Sequence, residues 1–214
     1  MLLEFENLVK TYDTKITGVI QVGAHYGQEI EIFKRNNISN IICFEPVPST
    51  FQILKESVKD NAILINLALG NENKKVMMNI ETANNGQSNS ILKPSIHLTQ
   101  YPHIRFNSEI EVEMMRMDDF LENYNRNNSL VYRETFNFLI LDVQGYELEV
   151  LKGAEKTLNE IDYVLCEVNR GDLYKGSPHV DEIDDYLKKY NFKRVETNWA
   201  GDIWGDAFYI RNNS

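Results

Sequence analysis

Apolar residues along this chain fall into short runs and into longer stretches with a helical period. The short runs predict strands at residues 18–23, 40–45, 62–68, 137–142, 162–168, 192–197 and 206–211. The stretches between them predict helices at residues 27–36, 48–60, 147–158 and 179–190. Strands that alternate with helices of this length predict βαβ units. We therefore expect an α/β fold with a doubly wound sheet of seven strands, mostly parallel, with an antiparallel last strand.

The middle of the chain interrupts this alternation. Residues 75–80 and 110–115 alternate apolar with other residues, which predicts two further strands. The polar segment between them, residues 82–108, is long for a loop in a compact domain, and such loops are often lids or binding loops. The alternative is a mobile surface loop. Residues 75–115 are thus expected to form a small β insertion.

The composition indicates one domain. With 214 residues and 43% hydrophobic content the chain can build a full core, so residues 1–214 are expected to form a single domain that begins with a helix over residues 1–15. The formal net charge is −10, and no cluster of Lys and Arg exceeds two residues. Binding to a nucleic-acid backbone needs concentrated positive charge, so nucleic acid is not expected as a partner. No apolar run approaches the length of a membrane span.

The first residues and the two cysteines bear on the compartment. Glu4 and Glu6 stand where a secretory signal peptide needs basic residues. Cys43 and Cys166 lie in different predicted core strands, which favours free thiols in a reducing compartment over a disulfide. We therefore expect a cytoplasmic protein. The four histidines form no close pair of the HxxxH type, so no metal site is expected.

A glycine-bearing turn follows the first predicted strand. Residues 19–27 read Val-Ile-Gln-Val-Gly-Ala-His-Tyr-Gly, and the second predicted strand ends in Glu45. Glu45 follows Gly23 by 22 positions, close to the spacing of about 20 residues between such a turn and the acid that binds a ribose. The unit therefore predicts a site for an adenosine-containing cofactor, with Glu45 on the ribose hydroxyls and Pro46 fixing the backbone after it. Otherwise Glu45 would be a solvated acid at a strand end.

The turn fits S-adenosyl-L-methionine (SAM) better than NAD. A dinucleotide turn has glycines at its first, third and sixth positions, whereas Gly23 and Gly27 occupy the first and fifth. No GK[ST] sequence follows, which excludes a nucleotide P-loop. The spacing resembles the turn of class I SAM-dependent methyltransferases, in which glycines at positions one and five flank the methionyl part of the cofactor. The expected cofactor contacts beyond Glu45 and Pro46 are Gly23, Ala24, His25, Gly27, Leu67 packed beside the adenine and the backbone amide of Ala68.

A longer motif points to a family. Residues 141–154 read Leu-Asp-Val-Gln-Gly-Tyr-Glu-Leu-Glu-Val-Leu-Lys-Gly-Ala. With this motif and the glycine turn, the chain resembles the FkbM-type family of SAM-dependent methyltransferases from Val19 to Ile210. Shorter matching segments are residues 44–48, 68–70, 88–90, 117–121 and 165–168. The resemblance implies a class I, Rossmann-like fold, SAM as the cofactor, and O-methyl transfer to hydroxyls of sugars, glycolipids or polyketides.

The chain departs from the family pattern at three positions. Gln21 stands where the family often has an acid, so its carbonyl would bind the cofactor's ammonium without charge assistance. His25 replaces a common Asn and is expected to shape the cofactor pocket rather than to act as a base. Gln144 replaces a common Glu, which removes a candidate carboxylate.

Methyl transfer to an aliphatic hydroxyl calls for a general base near its proton. Asp142, at the end of the fourth main strand, is expected to orient the cofactor or the acceptor. Glu147 is a candidate base. Otherwise it is an acid at the start of a helix that interacts with the helix dipole. Glu167 is a third catalytic candidate, or else a structural strand-end acid. His97 and His103 would contact substrate or lie at the surface.

These residues together predict a SAM-dependent O-methyltransferase that acts on a small-molecule or glycan acceptor, with a sugar hydroxyl as target by family analogy. One alternative is a non-catalytic SAM-binding protein or a partner subunit of a biosynthetic complex. Another is an NAD-dependent oxidoreductase, which shares the architecture but needs the missing dinucleotide glycines. Whether the protein forms a homo-oligomer is left open.

Overall fold

The structure, a computed structural model, describes residues 1–58, 62–128 and 135–212. Its helices are α1 (Phe5–Tyr12), α2 (Ile30–Arg35), α3 (Pro48–Val58), α4 (His97–Gln100), α5 (Met117–Asn128), α6 (Glu147–Lys152) and α7 (Val180–Lys188). Its strands are β1 (Gly18–Val22), β2 (Asn40–Phe44), β3 (Ile63–Ile65), β4 (Ala68–Leu69), β5 (Lys74–Glu81), β6 (Phe106–Met115), β7 (Phe138–Leu141), β8 (Tyr163–Asn169), β9 (Phe192–Ala200) and β10 (Trp204–Arg211). Within these described ranges, no helix is long and apolar enough to cross a membrane.

Seven strands form the main sheet in the order β3-β2-β1-β7-β8-β10-β9. Neighbours from β3 to β8 pair in parallel, and β10 is antiparallel to both β8 and β9. The predicted doubly wound sheet with an antiparallel last strand is therefore confirmed. Strand order reverses between β1 and β7, and ligands of such sheets bind outside the carboxyl ends of the strands at this switch point.

The main sheet is covered on both faces, as the apolar run of β7 predicts. Leu139 and Leu141 belong to the core on one face, and Phe138 and Ile140 belong to the core on the other. All four side chains are buried, because successive residues of a strand point to opposite faces and helices cover each face. This rigid central strand carries Asp142 at its carboxyl end.

The predicted strand at residues 62–68 is wrong in one respect, because it is divided between two sheets. Ile63–Ile65 pairs with β2 in the main sheet, whereas Ala68–Leu69 pairs with β6 in a separate sheet of order β4-β6-β5. The Asn66 side chain donates to the carbonyls of Glu45 and Pro46, at 2.8 and 3.0 Å. These bonds tie the chain to the end of β2 and let it turn away from the main sheet.

The helix predicted at residues 147–158 ends early, at Lys152, and a 3₁₀ turn at Thr157–Asn159 follows. A Cβ at Gly153 would lie 1.9 Å from the Gly70 carbonyl oxygen, so only glycine fits where the chain passes the residue after β4. Asp118 accepts hydrogen bonds from the amides of Lys156 and Thr157, which start the 3₁₀ turn. The hydrophobic pattern did not predict α4 and α5.

Candidate active site

A cavity of about 610 Å³ lies at the carboxyl ends of the central strands. Gly23, Glu45 and Asp142 immediately follow β1, β2 and β7, and Glu167 lies near the end of β8. All four line the cavity, so the switch point of the sheet is where the chemistry-bearing residues meet. The volume is within the range of about 300–1,000 Å³ typical of small-molecule sites. Residues from the polar segment 82–108 line the same cavity instead of extending into solvent.

Gly23 is required by the close approach of two strand ends. Its φ is +81°, and a Cβ there would lie 1.9 Å from the main-chain oxygen of Asp142. The amides of Gly23 and Ala24 both donate to the carbonyl of Phe44, at 3.0 Å each, which binds the turn to the end of β2. Gly23 and Ala24 both line the cavity, as expected.

Gly27 is placed differently from the sequence expectation. It is not among the described residues that line the cavity. A Cβ at Gly27 would lie 2.7 Å from Leu54 Cδ1 and 2.8 Å from Val58 Cγ2. The second glycine of the turn therefore allows close packing against α3, and the structure does not bring it to the cofactor position.

Glu45 holds the two loops beside it through its carboxylate. Oε2 accepts from the amide of His25 at 3.0 Å, and Oε1 accepts from the amide of Val47 at 2.9 Å. Burial raises the pKa of Glu45 to about 7, and these two hydrogen bonds oppose that rise. Pro46 lies between Glu45 and Val47 in the chain and also lines the cavity. A carboxylate oxygen accepts more than one hydrogen bond, so Glu45 can still accept from a ligand.

Leu67 and Ala68 also line the cavity, on the segment that leaves the main sheet. Leu67 is buried, and Ala68 pairs with Met114 of β6. Their position beside the end of β2 follows from the turn at Asn66. Although the predicted strand is divided, Leu67 and Ala68 still lie beside the cavity.

His25 connects the glycine turn to the inserted segment. Its backbone has a φ of +48°, and its Nε2 lies 2.8 Å from the carbonyl oxygen of Asn85. Gln28 Nε2 lies 3.0 Å from His25 Nδ1. A neutral imidazole that carries its proton on Nε2 satisfies both contacts. The ring also packs on Tyr26, with centroids 3.8 Å apart. Residue 25 thus holds the inserted segment over the turn.

Gln144 lies between the two cavity acids. Its Nε2 donates to Asp142 Oδ1 and to Glu167 Oε2, each at 2.8 Å. The Tyr174 hydroxyl lies 2.9 Å from Gln144 Oε1 and 3.0 Å from the carbonyl oxygen of Ser88. The structure therefore brings Asp142 and Glu167 together through an amide. Sequence reasoning missed this role, and it also missed Gln28 and Glu29, whereas residues 174–178 resemble a family loop near the acceptor pocket.

Glu167 is buried among acids. Burial first, and then the charges of Asp142, Glu147 and Asp206, raise the pKa of the Glu167 carboxyl well above its usual range. The hydrogen bond from Gln144 opposes this rise. Glu167 is only 4% exposed and yet lines the cavity, and a perturbed carboxyl in such a place is a candidate for a functional role.

Glu147 is placed away from the cavity. It is 1% exposed, and its Oε1 accepts from the amides of Val143 and Gly145 at 3.1 Å each. Burial raises its pKa to about 7. The carboxylate thus fastens the turn that follows β7, whose Gly145 has a φ of +94°. The structure does not bring Glu147 to Asp142 and Glu167 as a third cavity acid.

The aromatic side chains of the inserted segment and of β10 line one end of the cavity, called here its far end. His97 is buried, with its ring centroid 5.1 Å from that of Tyr101 and 5.4 Å from that of Tyr174. Trp204 Nε1 donates to the Tyr101 hydroxyl at 2.8 Å, which joins the inserted segment to β10. Burial lowers the pKa of His97, which favours the neutral imidazole. His97 and His103 line the cavity, so the expectation of a surface position for His97 is wrong.

The chain matches the sequence pattern of the methyltransferase FkbM domain over residues 21–194. It belongs to this family. The 2-O-methyltransferase NoeI of Sinorhizobium fredii is 26% identical over 180 residues, which are 80% of this chain and 71% of that protein. The family makes this protein a SAM-dependent methyltransferase, and its cofactor is SAM.

Solved structures support the fold. Magnesium protoporphyrin IX methyltransferase from Synechocystis PCC 6803, crystallised with SAM, is 8% identical, with a TM-score of 0.51 over 96% of this chain and 74% of that one. A protein of unknown function from Listeria monocytogenes serotype 4b is 9% identical, with a TM-score of 0.53 over 100% of this chain and 70% of that one. At these identities the similarity concerns the fold alone.

The cavity of this FkbM-domain protein fits SAM chemically. SAM carries positive charge on its sulfonium and its ammonium, and acids line the cavity whereas no described lining residue is Lys or Arg. Gln21 donates to Glu29 at 3.0 Å, and its buried Oε1 has no partner among the described residues. A buried carbonyl oxygen without a donor is costly, so Gln21 is suited to accept from the cofactor's ammonium. The diphosphate of NAD would meet carboxylates without a compensating Lys or Arg among the described lining residues.

Proposed function

We propose that this protein transfers a methyl group from SAM to a hydroxyl oxygen of a carbohydrate or glycan precursor. The observation that carries the proposal is the pair Asp142 and Glu167, joined by Gln144 in the cavity that also contains Glu45. The pair lies on the neighbouring strands β7 and β8, whereas Glu45 lies after β2, two strands away from β7. The acids are thus suited to an acceptor, and the far side of the sheet edge is suited to an adenosine.

The cofactor side is assigned as follows. Glu45 would accept from the ribose hydroxyls, and Gln21 Oε1 would accept from the ammonium. Gly23 provides room for close approach to the main chain. The other contacts proposed for the cofactor are Ala24, His25, Pro46, Leu67 and the amide of Ala68. Gly27 is left out of this set because it packs on α3.

The chemistry needs alignment and a proton acceptor. When bound, SAM supplies a methyl group on a sulfonium, which makes the methyl carbon open to attack by oxygen. We assign Glu167 as the general base that takes the hydroxyl proton, because its raised pKa makes it a stronger base than an ordinary carboxylate. Asp142 would orient the acceptor or the cofactor. Glu147 has no role in this assignment, because its carboxylate is bound to the turn amides.

The far end of the cavity suits an uncharged, hydroxyl-bearing ring. Tyr101 and Trp204 offer aromatic surface there, and no described lining side chain is positioned as a cation for a phosphate. The relative NoeI bears the name of a 2-O-methyltransferase, which also favours oxygen as the atom that accepts the methyl group. A neutral sugar or oligosaccharide is the acceptor class that these features favour.

The test is methyl transfer from labelled SAM to a panel of neutral monosaccharides, oligosaccharides and glycolipids, with the product located by NMR. We expect an O-methyl product with at least one acceptor, and a fall in kcat of about 10²–10⁴-fold for Glu167→Gln. Glu149→Gln, an acid of α6 paired with Lys152 outside the cavity, is the matched control and should keep the activity. SAM binding without product from any acceptor would favour the non-catalytic alternative.

A further inference from the structure

Gln144 occupies an unusual backbone position and makes several specific contacts. Its φ is +56°, in the left-handed region that non-glycine residues rarely adopt. Its main-chain oxygen accepts from Ser90 Oγ at 2.7 Å, which ties this conformation to the inserted segment. Strained backbones held by neighbouring contacts are concentrated at functional sites. In this backbone conformation, the side-chain amide of Gln144 lies between Asp142 and Glu167.

We propose that Gln144 is a positioning residue that favours the ionised form of Glu167 and orients Asp142 and Glu167 toward the sulphur of the cofactor. An amide nitrogen carries two hydrogens, and Gln144 Nε2 lies at 2.8 Å from one oxygen of each acid. Donation to the charged form of an acid favours that form, whereas two carboxylates without a donor between them favour a shared proton. Asp142 Oδ2 and Glu167 Oε1 accept no hydrogen bond from the described part of the chain, which leaves them for ligands.

The Tyr174 hydroxyl orients the amide. Burial raises the pKa of Tyr174 well above its usual range, so the hydroxyl keeps its proton. It lies within hydrogen-bond distance of both Gln144 Oε1 and the Ser88 carbonyl, and one proton serves one of them at a time. Donation to Gln144 Oε1 turns the amide nitrogen toward the acids. The reversed amide would place Oε1 against the carboxylate oxygens of Asp142 and Glu167, where like partial charges repel.

The surroundings of the pair make the amide necessary. Glu167 interacts with Glu147 at the start of α6 and Asp206 on β10 as well as with Asp142, and all three raise its pKa. The Met1 amino group also interacts with Glu167. A glutamate at position 144 has no N–H groups and would add another acid to this set. Gln144 instead supplies two donors at every pH at which the protein is folded.

The test compares SAM, which has a charged sulfonium, with S-adenosylhomocysteine (SAH), which has a neutral thioether. Calorimetry gives the Kd ratio of SAH to SAM from about pH 5.5 to 9 for the wild type and for Gln144→Leu and Tyr174→Phe. The titration of the ligands is common to all variants and cancels in the comparison. The midpoint is the pH at which the change in this ratio is half complete. We expect Gln144→Leu to raise the midpoint by about one pH unit or more, and Tyr174→Phe to raise it less.

Two outcomes would overturn the proposal in different ways. If Gln144→Leu and Tyr174→Phe weaken both ligands equally and leave the midpoint unchanged, Gln144 has only a structural role. The inference rests on the proposed function and adds that the two acids lie beside the sulphur, because the atom that accepts the methyl group must lie close to it. If Glu167→Gln leaves the ratio unchanged at every pH, both that placement and this inference fail. The matched control is Gln28→Leu, which removes another cavity amide and should leave the midpoint in place.

Discussion

The amide of His25 donates to the Glu45 carboxylate at 3.0 Å, so the glycine turn after β1 and the acid after β2 form one unit. The same acid accepts from Val47 on its own loop. Because the acid organises the backbone on both sides, it is held in place before any ligand binds. Such preorganisation reduces the entropy lost when a ribose is bound.

Glu45→Ala should weaken SAM binding by about 2–4 kcal/mol, since two charge-assisted hydrogen bonds to the ribose are lost with partial compensation by water. Calorimetric titration with SAM at about pH 8 measures the effect with the wild-type acid ionised. Glu56→Ala, an exposed acid of α3, is the control and should bind as the wild type does. Unchanged affinity in Glu45→Ala would sink the ribose assignment.

Gly23→Ala should lower the free energy of unfolding by more than about 2 kcal/mol, because the new Cβ meets a backbone oxygen that cannot move freely. The distance to Asp142 O would be 1.9 Å, and the φ of +81° adds strain. Urea unfolding measures the change. Gly176→Ala is a matched control, because Gly176 has a φ of +78° and nothing lies within 4 Å of its Cβ. Equal losses at the two positions would show that strain alone, and not the contact with Asp142, explains Gly23.

Glu147→Gln should stabilise the protein at neutral and higher pH. The pKa of Glu147 is raised from 4.5 to about 7 in the folded state, so its contribution to stability is full below pH 4.5 and is lost as the pH rises through 7. The amide variant has no charge to desolvate and keeps an acceptor for the amides of Val143 and Gly145. The variant should gain up to about 3 kcal/mol relative to the wild type between pH 5 and pH 8. A difference that does not change with pH in urea unfolding would contradict this.

His25→Ala should release the inserted segment without unfolding the domain. The variant loses the contact between Nε2 and the Asn85 carbonyl, and hydrogen bonds of this kind contribute about 0.5–1.5 kcal/mol. Amide exchange in residues 82–90 should become faster, with little change in the central strand β7. Tyr26→Phe, which removes only a contact of 3.3 Å to the same carbonyl, should have the smaller effect. Exchange that rises equally in β7 would indicate global destabilisation instead.

Local pattern predicted much of the molecule. The apolar run of β7 is found in the sheet centre because a strand covered on both faces must be apolar along its whole length. The spacing from Gly23 to Glu45 placed both residues at one cavity, since parallel strands end at the same edge of the sheet. The long polar segment was predicted as a lid or a surface loop, and its residues line the cavity.

What the pattern left out depends on contacts between distant residues. The division of residues 62–68 between two sheets follows from Asn66 binding carbonyls about 20 positions earlier. Gly27 has the same residue type and a similar φ as Gly23, yet one meets α3 and the other meets Asp142. Glu147 and Glu167 were both candidates in sequence, and the fold separated them, because one carboxylate reaches the turn amides and the other reaches Gln144.

The sequence by itself therefore determined the order of most strands and helices, the family and the edge of the sheet where the cavity lies. These properties follow from the short-range periodicity of apolar residues and from the spacing of residues along one βαβ unit. The tertiary structure decided which acids share a cavity and that Gln144 joins them. Residues 142, 144, 167 and 174 meet only when β7 and β8 pair and the loops after them fold together, and no local pattern encodes that meeting.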